Sequence, residues 1–231
     1  MDRLDPQLVF DTVDLLGVLA NAILGGAIAR QLKMDLIGFM FLAVMSGLGG
    51  GMLRDVLLQV GFPVALTNPA YLGTALVGAV VAFLLHFRGK WALRVLVVAD
   101  SLSLGCWAAT GTAKALSVGL SWLPALMIGV ITAVGGGMIR DMSVGRVPQI
   151  FGGNTLYATG ALVASIEMVI LYRMTHPTWG MAVAIVSAAL LTVVARRRGW
   201  RLPGVGSLEV RLPKAPAFPK SRRRKGPTEG A

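Results

Sequence analysis

The chain has 231 residues, of which 55% are hydrophobic and 14% charged, with a mean hydropathy of +0.70. An ordinary soluble domain carries about 25% charged residues, so this composition argues against a water-soluble protein and for an integral membrane one. The formal charge of +11 is local: from Arg196 onward 11 Lys and Arg stand against 2 Glu, whereas residues 1–195 hold 11 against 9 acids.

The start, Met1 to Asp14, carries four Asp and one Arg, the wrong charge for the first part of a cleavable signal. Seven apolar segments follow, near residues 12–30, 36–58, 70–86, 94–114, 121–143, 154–173 and 178–195. Each is close to the roughly 20 residues needed to cross the hydrocarbon core as a helix. None alternates polar and apolar residues as an outer-membrane strand would. Cations mark every second connection: Arg30 and Lys33, then Arg88, Lys90 and Arg94, then Arg146, then Arg196, Arg197 and Arg198. That alternation predicts the N-terminus outside and the C-terminus in the cytoplasm. Trp91, Trp122, Trp179 and Trp200 fall near predicted helix ends, as an aromatic belt requires.

Inside the second segment lies Gly49-Gly50-Gly51-Met52-Leu53-Arg54-Asp55, and inside the fifth Gly135-Gly136-Gly137-Met138-Ile139-Arg140-Asp141. The same offset of 86 pairs Asp14 with Asp100, Gly25 with Gly111, Asn68 with Asn154 and Tyr71 with Tyr157. One structural unit is written twice. Three segments per copy is an odd number, so the second copy enters the membrane from the opposite face. The sequence therefore predicts an all-α integral membrane protein with seven transmembrane helices, an inverted 3+3 repeat plus one C-terminal helix. The divisions are an extracytoplasmic N-terminus (1–11), a first repeat (12–90), a second, inverted repeat (91–176), a seventh helix (177–198) and a basic, Pro-rich cytoplasmic tail (199–231). Inverted repeats place a solute path near their mutual interface.

Three glycines in a row strongly favour a local break or kink, since each costs about 1 kcal/mol relative to Ala in a helix interior. Irregular backbone at membrane depth must face protein or a water-filled cavity. This favours kinked helices in which Gly49, Gly50, Gly51, Gly135, Gly136 and Gly137 line a path. The competing reading is close helix packing through small residues. Asp14 and Arg54 fall level on one side of the membrane, Asp100 and Arg140 on the other, so two symmetry-related ion pairs are expected, with Asp55 and Asp141 as further vestibule charges. Lys114 breaks the duplication, because its repeat partner is Ile28; it is a candidate sensor or a snorkelling boundary residue. Glu167 is a lone acid deep in the sixth segment.

Other chemistries find no footing. The glycine triplets lack the Lys-Ser/Thr of a phosphate-cradling loop, and Met52 and Met138 stand where a dinucleotide fingerprint needs glycine. No zinc ligand cluster or catalytic triad is evident, so an enzyme is disfavoured. Cys106 is the only cysteine, and His86 and His176 are isolated near helix ends. The basic tail is suited to anionic lipid at the inner leaflet; nucleic-acid binding is disfavoured, for want of aromatic interleaving.

The paired Gly-Gly-Gly-x-x-Arg-Asp motifs, Lys114 after Ala108-Ala109-Thr110-Gly111, and the seven-segment count together resemble the prokaryotic members of the trimeric intracellular cation (TRIC) channel family, over about residues 10–195. The resemblance implies a homotrimer in the prokaryotic plasma (inner) membrane with one hydrated pore per subunit. It implies a pore lined by the first, second, fourth and fifth helices, with glycine kinks in the second and fifth, passing K⁺ mainly and Na⁺ also, with no cofactor. By position, Lys114 matches the lysine implicated in the family's voltage response. The Lys-Glu-Val lipid motif of animal members is not found. A weaker implication is a secondary transporter for a small amino acid such as glycine, since inverted repeats and broken helices fit a carrier equally well.

Overall fold

The structure, a computed structural model, describes residues 6–85, 89–151 and 156–200. His86, Arg88, Asn154 and the tail from residue 201 lie outside the described residues. Those described form an all-helical membrane protein of eight helices: α1 (Pro6–Gln31), α2 (Leu36–Leu58), α3 (Val64–Thr67), α4 (Pro69–Leu84), α5 (Gly89–Ser117), α6 (Trp122–Ser143), α7 (Tyr157–Arg173) and α8 (Pro177–Arg198). Five of them, α1, α2, α5, α6 and α8, are long and apolar enough to cross a membrane, and α4 is a shorter apolar helix. Seven helices coincide with the seven expected segments, and α3 is an addition.

In lipid each backbone polar group must be satisfied within the segment, which is why long apolar runs can only be helices here. Their ends are set by local chemistry. Asp35 caps α2, its carboxylate accepting from the Gly38 amide at 2.7 Å, and Gln59 closes that helix in the left-handed region. Asn68 caps α4 from just before Pro69, accepting from Ala70 N at 3.0 Å. Gly199 ends α8 with φ at +66°. The first helix begins at Pro6, within the stretch assigned to an extracytoplasmic N-terminus, because Gln7 and Asp11 bond one turn apart at 3.1 Å and extend the helix past its apolar window.

Helices α1, α2 and α4 pack on one another, and so do α5, α6 and α7. The two groups meet chiefly through α2 against α6 and α1 against α5, while α8 lies on α5 and α7. The core between them is built on Trp107 with Val18, Ala22, Leu48, Leu104 and Val134. Large apolar side chains such as Ile37, Phe41, Val77, Phe83, Met127 and Leu190 face outward, as a lipid-solvated surface requires.

Of the expected break or kink, a full break does not occur at the glycine triplets. Both α2 and α6 run through them as continuous helix. A Cβ on Gly50 would stand 2.4 Å from the Thr132 carbonyl oxygen, and one on Gly136 would stand 2.6 Å from that of Ser46. Likewise Gly49 lies under Ile139 and Gly135 under Leu53, at 2.9 and 3.2 Å from the same imagined atom. Each contact has its counterpart 86 positions on. Reciprocal contacts of this kind are the mark of a two-fold relation between the copies. The physical reason for the glycines is therefore the crossing: only a residue without a side chain lets α2 and α6 approach to backbone contact. Trp107 from α5 covers both Gly50 and Gly136, with ring atoms 3.3 and 2.9 Å from the positions a Cβ would take.

Candidate functional site

On either flank of that crossing sits a cluster of buried charges. The first is assembled from α1, α2, α4 and α5. Arg54, 1% exposed, bonds its own neighbour Asp55 through Nε at 2.8 Å and reaches Asp14 through Nη1 at 3.3 Å. Lys114 Nζ lies 2.7 Å from the same Asp55 oxygen that Arg54 engages, and the Val64 amide at the start of α3 donates to the other at 2.9 Å. Tyr71 donates its hydroxyl to Asp14 at 2.9 Å, and Thr110 donates to the second Asp14 oxygen at 3.3 Å. Two carboxylates and two cations thus neutralise one another, with the residual lone pairs taken by hydroxyl and amide donors. That is the arrangement a buried ion group needs in order not to cost several kcal/mol per charge.

The second cluster comes from α5, α6, α7 and α8. Arg140 bonds Asp141 through Nε at 3.0 Å, repeating the Arg54–Asp55 contact. Tyr157 donates to Asp100 at 3.2 Å, repeating Tyr71 on Asp14. Here the repetition ends. Of the two expected ion pairs, Asp14–Arg54 forms, whereas Arg140 makes no ion pair with Asp100 among the described residues. Arg196 of α8 takes that place, with Nη2 at 2.7 Å from Asp100 and 3.0 Å from Gln149 Oε1, and its guanidinium 5.6 Å from the centre of the Tyr157 ring. That cation is delivered by α8, which lies outside the duplicated unit.

Open space lies beside each cluster. A cavity of about 440 Å³ is bordered by Phe10, Asp11, Arg54, Tyr71, Lys114 and Tyr172, among others. A second, of about 570 Å³, is lined by Arg94, Val97, Val98, Val193, Arg196 and Arg197. Within the clusters the spaces are only ≈ 10 Å³ each, room for about one water. Among the six glycines, Gly49, Gly50, Gly135 and Gly136 lie at the helix crossing. Gly51 and Gly137 instead face the arginines of their own motifs, with Nη2 atoms 3.8 and 3.5 Å from an imagined Cβ.

Lys114 is a paired member of the first cluster, its side chain 21% exposed, not a residue stretched alone to the boundary. Glu167 accepts from Ser187 between α7 and α8, away from both clusters. Four cluster members had no place among the expected site residues: Tyr71, Tyr157, Thr110 and Arg196. The duplicated tyrosines carried a usable signal, since a buried phenol beside a duplicated Asp seeks that acceptor. Arg196 carried none beyond its membership in a basic flank.

Residues 11–87 and 97–173 each match the family model described as glycine transporter, and the two starts reproduce the repeat offset of 86. A UPF0126 membrane protein of Deinococcus radiodurans is 34% identical over 192 residues, covering 83% of this chain and 89% of that one. The UPF0126 inner membrane protein YadS of Escherichia coli is 34% identical over 158 residues, covering 67% and 74%. Among solved structures, a chain from work on the structural basis for conductance through TRIC cation channels superimposes with a TM-score of 0.75 at 32% identity, over 84% of this chain and 96% of that one. The trimeric intracellular cation channel orthologue from Rhodobacter sphaeroides gives 0.77 at 29% identity, over 83% and 99%. The chain belongs to the prokaryotic TRIC family of membrane proteins, together with its UPF0126 relatives.

Proposed function

We propose that this protein is a monovalent cation channel, passing mainly K⁺ and also Na⁺, with one path in each subunit of a homotrimer in the bacterial inner membrane. The copies run in opposite senses, N-terminus outside and C-terminus in the cytoplasm, so that the Asp14–Arg54–Asp55–Lys114 cluster faces outward and the Asp100–Arg140–Asp141–Arg196 cluster inward. The path follows the flanks of the α2–α6 crossing, past Gly51 and Gly137.

One observation carries this reading. Ser46 Oγ and the Trp107 indole N–H are buried without a hydrogen-bond partner among the described residues, as are Arg30 Nε and Ser165 Oγ. Buried polar groups are nearly always satisfied; the first two face α1, Ser46 beside Gly25 and the indole nitrogen beside Gly17, so a file of water and ions between α1 and the crossing would satisfy them. Likeness to TRIC cation channel structures supports the ionic substrate. A pore bearing Arg and Lys repels cations unless carboxylates compensate, and each cluster supplies two, so modest selectivity is expected. Lys114, bonded to Asp55 and facing the cavity, is the residue through which voltage acts on the outer cluster.

The test is single-channel recording from the purified protein in planar bilayers under K⁺ and Na⁺ gradients, with Lys114→Ala alongside. Unitary cation currents with altered voltage dependence in the variant support the reading. The second reading, a carrier for glycine, draws on the family description and on the cavity bordered by both Asp11 and Lys114. Saturable glycine uptake without unitary events selects it instead.

A further inference from the structure

The two clusters obey one rule that the duplication does not supply. Each contains the Asp of its first helix and the Arg-Asp pair of its glycine helix, and each is brought to neutrality by one extra cation from elsewhere. For the first cluster that cation is Lys114, and for the second it is Arg196. Position 196 lies 86 residues after Thr110, which touches Asp14 as Arg196 touches Asp100. So α8 approaches the second copy at the point where α5 approaches the first, but brings a guanidinium in place of a hydroxyl. The consequence shows in Arg140. Its repeat partner Arg54 reaches both Asp14 and Asp55, whereas among the described residues Arg140 pairs with Asp141 alone while Arg196 occupies Asp100.

We propose that Arg196 is the latch of the inner cluster, a gating residue on the one long helix that lies outside the duplicated unit. Latched, it ties α8 to α5 through Asp100 and to the segment before α7 through Gln149, and lies over Tyr157. Unlatched, the guanidinium turns into the adjoining cavity of about 570 Å³, which Arg196 already lines beside Val97, Val98 and Val193. Asp100 is then free to take Arg140, giving the second cluster the pairing of the first. The space beside Met138, Arg140 and Asp141 opens toward the cytoplasm. Asp100 keeps an ion-pair partner in both states, while the released Arg196, beside Arg94 and Arg197 and with no acid among the described residues of the cavity lining, must take its solvation from water there.

This inference rests on the channel reading for its sidedness, and the experiment separates the two. Met138→Cys is placed in a Cys106→Ala background and its labelling by a membrane-impermeant thiol reagent is timed in liposomes, with Arg196→Gln, Arg196→Lys or Arg197→Gln added. Unitary currents are recorded from the same preparations. Losing a hydrogen bond to a charged partner should raise the labelling rate at least about fivefold in Arg196→Gln, with open probability rising in step. Arg196→Lys keeps the charge without the forked geometry and falls between Arg196→Gln and the wild type. Arg197→Gln leaves the Arg196–Asp100 contact in place and removes only one like charge from the cavity lining, so its rate stays well below that of Arg196→Gln. Labelling in Arg196→Gln no faster than in Arg197→Gln overturns the latch. Should Arg196→Gln not be recovered folded, Arg196→Lys decides, and a rate equal to wild type overturns it. Absence of currents from every preparation sinks the channel reading alone, because the labelling still decides the latch.

Discussion

Gly50→Ala is the sharpest probe of the crossing between α2 and α6. The added methyl would sit 2.4 Å from the Thr132 carbonyl oxygen and 3.3 Å from both Gly136 N and a Trp107 ring atom. Ordinary van der Waals contact begins near 3.4 Å, so the helices must separate by about 1 Å, and the obstructing atom is backbone that cannot rotate away. Overpacking of this kind costs about 1–3 kcal/mol, against which Ala returns at most about 1 kcal/mol of helix propensity. Gly51→Ala is the matched control: its methyl meets only Arg54 Nη2 at 3.8 Å, so the propensity gain stands alone. Thermal unfolding of the purified proteins in one detergent, followed by loss of helical signal, should rank Gly51→Ala at or above wild type and Gly50→Ala below it. Gly136→Ala should match Gly50→Ala, since its methyl meets Ser46 O at 2.6 Å. A Gly50→Ala protein as stable as Gly51→Ala would refute the reasoning, because the triplet would then serve something other than close approach.

The remaining predictions concern the clusters and the tail. Tyr71→Phe and Tyr157→Phe each remove a single donor to a buried carboxylate, and each should cost about 1–3 kcal/mol in the same unfolding assay. Asp55→Asn strips charge from the partner of Arg54, Lys114 and the Val64 amide, and should destabilise by about 3–5 kcal/mol. Asp141→Asn, whose only ion-pair partner among the described residues is Arg140, should cost less than Asp55→Asn. Removing residues 204–231 should leave unitary currents intact in planar bilayers, and their loss would assign the tail to conduction.

Much of the architecture could be read from the chain because its determinants are local. Apolar length marks the seven segments that coincide with helices, and the offset of 86 joins Asp14 to Asp100 and Arg54 to Arg140. The Asp14–Arg54 pair followed from depth alone. What stayed hidden depended on what stands opposite. Gly49-Gly50-Gly51 taken alone favours a break over a contact surface, and the close approach of the Ser46 and Thr132 carbonyls is not visible in the sequence. Arg196 looked like one more cation in a basic flank, since nothing in Arg196-Arg197-Arg198 tells which of the three turns inward to Asp100. The short helix Val64–Thr67 escaped because four residues carry no periodicity, yet its first amide completes the bonding of Asp55.

The central question is whether cations cross through a single subunit past these clusters. The most direct measurement is the reversal potential of unitary currents from the purified protein in a planar bilayer under a KCl gradient. Discrete openings that reverse toward the K⁺ equilibrium potential, with open probability altered in Lys114→Ala, are the predicted result. A silent bilayer containing folded protein, or currents reversing toward the Cl⁻ potential, would contradict it.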